Sequence, residues 1–256
     1  MNWTIVTSRF ERNLAPVEMK DPHTLHQAPW LEPSARQTQN ALLAAVSHEL
    51  RTPLTSITGC LSALLVEDSN LDDALRADLI ANAYQEAKRL NRMIGNLLDM
   101  AKITAGTLQV NRRLEYLPEV IHFAMQQFDD VLNGRRLLFE KPQTVPLVKL
   151  DFELVARAIA NVIENALEFS SEGSTIRIQL IVDNPAITIL ILDDGASISS
   201  TDLPFVFDNF YRLQGGKHGL GLGLAVSKGI FEALGGSVQI GNQAGGGVRV
   251  AMSLPL

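Results

Sequence analysis

From Leu43 onward, apolar residues recur in alternating steps of three and four: Leu43, Val46, Leu50, Leu54, Ile57, Leu61 and Leu64. That spacing is a heptad seam, and it predicts a long helix beginning near Gln37. The seam stops at the polar run Glu67-Asp68-Ser69-Asn70. A second series follows at the same spacing through Leu79, Ala83, Glu86, Leu90, Met93, Leu97 and Ala101, and Gly106 is a suitable stop. Two long helices with a short connection predict an antiparallel hairpin. Two helices alone cannot bury seams of that length, so a homodimer forming a four-helix bundle is expected.

After Gly106 the texture is mixed. Leu108 to Leu114 and Leu137 to Glu140 read as strands, and Leu117 to Val131 as a helix. Asp151 opens a strong helix to about Phe169, with Leu154, Ala158, Val162, Ile163, Ala166 and Leu167 on its apolar face. Thr175 to Val182 and Ile187 to Leu192 read as a hairpin turning at Asp183-Asn184-Pro185. A polar, Gly-rich stretch precedes a helix from about Leu222 to Leu234, and Val238 to Ile240 and Val248 to Leu254 close the chain as strands. Helices intermixed with antiparallel strands predict an α+β sandwich. Residues 1–36 carry Pro16, Pro22, Pro29 and Pro33 and no lasting apolar period. They are predicted to be a leader or the remnant of an upstream module.

Composition narrows the picture. The 256 residues suit one large domain or two small ones, and 46% hydrophobic residues suit a globular chain. The net charge of −6 argues against a nucleic-acid partner. A single cysteine, Cys60, excludes an internal disulfide framework and fits a reducing compartment. No apolar run approaches the ~18 residues of a membrane span, so a cytoplasmic location is expected. Any signal from across a membrane would then come through a separate sensor protein or a further part of the chain.

The first candidate chemistry is Ser47-His48-Glu49-Leu50-Arg51-Thr52-Pro53. His48 sits two positions from the seam residue Val46, which predicts an exposed imidazole on the bundle flank. Glu49 can orient or deprotonate one ring nitrogen and leave the other free to attack. Thr52 lies one turn on, and Pro53 removes the N–H that would bond the Glu49 carbonyl, loosening that turn. A lone histidine on an acidic helix is ordinarily a surface residue; the heptapeptide is far more specific.

That segment closely resembles the phosphoacceptor box of sensor histidine kinases of two-component systems. Four further segments resemble that family's boxes, in order. Asn161-Val162-Ile163-Glu164-Asn165 matches the asparagine box and Asp193-Asp194-Gly195 the first glycine box. Phe205 to Arg212 matches the phenylalanine box, and Gly219, Gly221 and Gly223, followed by Leu224, the second glycine box. The resemblance covers about residues 37–256. Residues 54–65 and 89–112 further resemble potassium-responsive sensor kinases.

The resemblance implies a phosphoacceptor and dimerisation domain over 37–106 and an ATP-binding α/β sandwich over 107–256, of the histidine kinase, gyrase and Hsp90 type. It implies ATP and Mg²⁺ as cofactors and a response-regulator receiver domain as partner. Autophosphorylation would fall on His48, with Glu49 as base or orienter and Thr52 assisting dephosphorylation of the regulator. Asn165 and Asn161, four apart on one helix face, offer amide oxygens that suit Mg²⁺. Asp193 would accept from the adenine amino group, and the glycines before a helix suit phosphate. Residues 196–218 would form a lid whose Arg212 and Lys217 meet the phosphates.

Two departures stand out. Ser197 replaces a glycine of the first glycine box, where a special backbone angle would be costly for serine. Glu168 replaces a lysine that would face the phosphates, and a carboxylate there repels ATP. They motivate a second reading, a degenerate kinase acting as a dimeric signalling scaffold. A third reading, a mechanochemical ATPase sharing only the ATP fold, sits poorly with the intact His48 segment.

Overall fold

The computed structural model describes residues 32–66, 72–132, 134–213 and 219–256. The chain divides into Met1–Leu42 and Leu43–Leu256. Of the first unit, only the opening of the first helix is described. Lys217, His218, His23 and His26 lie outside the described residues.

Helix α1 spans Glu32–Leu65 and α2 Asp73–Thr104. α1 thus begins inside the segment expected to be a leader, and Pro33 in its first turn is compatible with that start. α2 begins at Asp72, whose side chain accepts from the Leu75 N–H at 2.7 Å. It is closed by Gly106, just past its end, with φ of +66°, after which the Thr107 N–H returns to the Lys102 carbonyl. Val46 and Leu50 pack against the main apolar cluster, Pro53 is buried, and Ala83 and Met93 are the buried apolar residues of α2. Leu54, Leu61, Ile80, Tyr84, Ile94 and Leu98 remain exposed. A single chain therefore covers only part of the heptad seam. Among the described residues no helix is long and apolar enough to cross a membrane.

The remainder is an α/β sandwich. Strands β2 (Arg136–Glu140), β4 (Thr175–Asp183), β5 (Ala186–Leu192), β6 (Ser237–Asn242) and β7 (Val248–Pro255) form one sheet in the order β2-β4-β5-β7-β6. β2 pairs with β4 in parallel and the other pairs are antiparallel. Helices α3 (Leu117–Gln126), α4 (Phe152–Phe169) and α5 (Gly223–Ala233) pack together, and α4 and α5 contact the sheet. Alternate strand residues turn to the core: Ile176 and Ile178 on β4, Ile187, Ile189 and Ile191 on β5, Met252 and Leu254 on β7. A small sheet joins β1 (Arg113–Glu115) to β3 (Val148–Leu150).

Three local expectations differ from the structure. The strand expected over 108–114 is only Arg113–Glu115, because β3 offers three residues to pair with. β3 itself was too short to announce itself by alternation. The helix expected over 117–131 stops at Gln126, and a 3₁₀ turn over Asp129–Val131 follows the fully buried Phe128. Tertiary burial of that ring overrides continued helix.

Ile189 is fully buried on the central strand. Ile189→Ala should lower stability by about 2–5 kcal/mol, read as a fall in the denaturant midpoint with unchanged slope.

Candidate active site

α4 supplies the framework. Asp151 caps it by accepting from Leu154 N–H at 3.1 Å, and its other oxygen accepts from Asn111 N–H at 2.9 Å. One face of α4, including Val155, Ile159, Val162 and Ile163, is buried. The same geometry leaves Asn161, Glu164, Asn165 and Glu168 on the wall of a cleft of about 870 Å³. Asp193, Arg212, Gly219, Gly221, Gly223 and Leu224 also line it. Residues predicted from four separate segments are thus brought to one cavity.

Asp193 closes the inner end. It is buried, and its Oδ1 accepts from the Gly195 N–H at 2.9 Å and the Val248 N–H at 3.4 Å. Gln243, which sequence inspection passed over, donates to the Asp193 carbonyl at 2.7 Å. Burial pushes the Asp193 carboxyl above its ordinary value of 3.8, against the two backbone donors. Gly195 is required by space: a Cβ there would stand 2.5 Å from the Phe169 carbonyl oxygen. Ser197 is not among the residues with positive φ, so this departure carries no backbone strain.

The two asparagines differ. Asn161 is 2% exposed and exchanges two hydrogen bonds with Asn96 of α2, at 2.8 and 3.0 Å. It also donates to the Gly223 carbonyl at 3.3 Å. Asn165 is half-buried on the cleft wall, and its carboxamide makes no hydrogen bond among the described residues. Glu168 is half-buried on the same wall.

At the cleft mouth, Phe210 takes φ of +67° and its N–H donates to the Gly221 carbonyl at 3.1 Å. Gly221, also at positive φ, packs against the Tyr211 carbonyl too closely for any Cβ. Tyr211 donates to Asp202 at 2.6 Å and so pins the segment before it.

His48 is exposed on α1 and lines a separate shallow hollow with Arg51, Thr52, Thr55 and Ser56. The Thr52 hydroxyl donates to the His48 carbonyl at 3.3 Å, inside a helix that continues past Pro53. The Glu49 carboxylate is taken up by the cleft mouth: Arg212 donates to it at 3.2 Å and the Gly219 N–H at 3.3 Å. Consecutive helical side chains diverge, so Glu49 turns toward the cleft mouth while His48 faces solvent.

Residues 38–106 match the family described as the His Kinase A (phospho-acceptor) domain. Residues 151–256 match the family described as histidine kinase-, DNA gyrase B-, and HSP90-like ATPase. Together these take in more than half of the chain. The chain belongs to the sensor histidine kinases.

Similar histidine kinases agree. Sensor protein KdpD of Clostridium acetobutylicum is 32% identical over 229 residues, covering 88% of this chain and 25% of the relative. KdpD of Escherichia coli (strain K12) is 31% identical over 223 residues, covering 86% and 24%. The chain thus spans about a quarter of the length of these relatives. Acinetobacter baumannii histidine kinase AdeS, a solved structure, superposes with a TM-score of 0.58 at 26% identity, covering 81% of this chain and 97% of that one.

The sequence motifs leave out Arg92, Asn96 and Asp99 of α2, yet all three face α4.

Asp193 gives a pH test. Its raised value means that the folded protein holds this proton more tightly than the unfolded chain. That contribution to stability is full below 3.8 and is lost as pH rises through the elevated folded value. Asp193→Asn keeps an oxygen for Gly195 and Val248 but does not titrate. Denaturant midpoints should therefore shift in the variant's favour between pH 4 and pH 7; a gap independent of pH would contradict the raised value.

Proposed function

We propose that this chain is the catalytic core of a two-component sensor kinase. It phosphorylates His48 from Mg·ATP and passes the phosphoryl group to an aspartate of a response-regulator receiver domain. The observation that carries this is the contact of Glu49 with Arg212 and Gly219. It joins the turn bearing His48 to the mouth of the cleft that the boxes line.

The cleft suits a nucleotide in size and in its polar groups. Asp193 has one oxygen committed to backbone donors and the other left to accept from an adenine amino group. Gly219, Gly221 and Gly223, at the N-terminus of α5, let the backbone approach phosphates, and Leu224 continues that wall. Asn165 fits a hard cation, because its carboxamide oxygen is unspent and faces the cleft; Asn161 is the second candidate ligand. Among the described residues no cluster of His, Cys, Asp or Glu offers an alternative site. Bound there, Mg²⁺ would neutralise charge developing on the transferred phosphoryl group.

In the reaction, a ring nitrogen of His48 attacks the γ-phosphorus in line. The N–P bond forms as the bond to the β-phosphate oxygen breaks, ADP departs, and the ring proton passes to Glu49 or solvent. Glu49 is occupied by Arg212 and Gly219 in this arrangement, so acting as base requires that contact to open. Lys217 is a further candidate phosphate ligand.

The exposed rows on α1 and α2 support a homodimer, in which a second copy covers them. A receiver domain is supported by the hollow around His48 and Thr52. ThkA, a histidine kinase with this fold at 19% identity and a TM-score of 0.59, has been solved with the response regulator TrrA. Glu168 is the observation that still favours the scaffold reading; Ser197 no longer does.

Incubation with γ-labelled ATP and Mg²⁺ should give acid-labile, base-stable label that His48→Gln abolishes. A folded protein that takes no label would favour the scaffold. Thr52→Ala should reduce dephosphorylation of the regulator more than autophosphorylation, and equal loss of both would reject a separate role for Thr52.

A further inference from the structure

Three polar contacts join α2 to α4 in an antiparallel ladder. Arg92 donates to Glu164 at 2.9 and 3.3 Å, Asn96 pairs reciprocally with Asn161, and Asp99 pairs with Arg157. On α2 these residues stand at i, i+4 and i+7; on α4 their partners repeat the same spacing in reverse. The charges alternate, with the cation on α2 at one end and on α4 at the other. The middle rung is neutral and buried: Asn96 is 8% exposed and Asn161 2%.

We propose that this ladder is a clasp that withholds Asn161 from the metal–nucleotide site, so that clasping and metal–nucleotide binding exclude each other. The proposal rests on the cleft being that site.

Both ends of the Asn161 amide are engaged. Its oxygen accepts from Asn96 and its nitrogen donates to both Asn96 and the Gly223 carbonyl. At 2% exposure it has no surface for a cation carrying water. Asn165, one turn on, makes no such bond among the described residues. The two candidate ligands are thus in opposite conditions, and α2 makes the difference. Glu164, the neighbour of Asn165, is held by Arg92 on the same wall.

The rest of the contact suits separation as a unit. Ile103 of α2 seats over Gly229 of α5, where a Cβ would stand 2.8 Å from it. The Arg157 guanidinium lies beside Gly95 of α2, at ordinary contact distance from where a Cβ would stand. Arg92 and Glu164 are partly exposed and their pair is individually weak, whereas Asp99 is 2% exposed and depends on Arg157; the central amides make their bonds only while both helices are in place.

The test is calorimetric titration of the whole chain with ADP, in Mg²⁺ and in EDTA. The proteins are the parent, Asn96→Ala, Asp99→Arg, and Asp99→Arg combined with Arg157→Asp. Amide exchange across α2 is followed without nucleotide. Loosening the clasp in the first two variants should speed α2 exchange and tighten ADP binding in Mg²⁺ by about fivefold or more. Binding in EDTA should change little. The charge swap should return both readouts toward the parent, which separates the clasp from general loosening and serves if Asn96→Ala fails to fold. Faster exchange with unaltered or weaker Mg·ADP binding would overturn the clasp alone, as would a swap that stays tight. If no protein binds ADP, the kinase reading falls and the clasp with it.

Discussion

The site depends on the burial of one side of α4. Its apolar residues lock onto the sheet and α5, and ten residues of this helix are buried. Once that face is committed, the 3.6-residue period dictates where every polar residue goes. Arg157, Asn161, Glu164, Asn165 and Glu168 fall on one polar face: the first three meet α2, and the last four line the cleft. The same hydrophobic packing that stabilises the sandwich thereby aims its chemistry. Asp193 works similarly at the end of β5: its carboxylate is held by the backbone of Gly195 and Val248, and its carbonyl by the Gln243 side chain.

Much of this was legible in the chain. Long periodic helices, the Thr175–Leu192 hairpin and the closing strands follow from spacing alone, within a few residues at each end. The cleft-lining residues were legible too, through ordered motifs whose residue types suit nucleotide chemistry. Short pairings were not: β1 and β3 have three residues each, too few to show a period. The turn at Phe128 was hidden because burial of a single ring decided it. Arg92, Asn96 and Asp99 were hidden for a different reason. A polar helix face looks the same in sequence whether it meets water or a complementary polar face.

The departures at 168 and 197 show how position decides meaning. Serine in place of glycine matters only where φ is positive, and Ser197 lies outside that region. Glu168 stands on the cleft wall, where charge matters more than conformation. Glu49 is a further case. Sequence makes it the neighbour of His48, while the structure gives it to Arg212 and Gly219. Contact between the helix of His48 and the cleft is therefore built through the residue beside the histidine.

The alternating charges between α2 and α4 have a mechanical consequence. Helices joined by leucines can slip past one another by a turn and find similar neighbours. Here a one-turn slip would carry Asp99, 2% exposed, away from Arg157 and leave a carboxylate buried opposite an amide or an apolar turn. Gradual sliding is thereby closed off. The two helices are either in register or apart, and motion between them is digital.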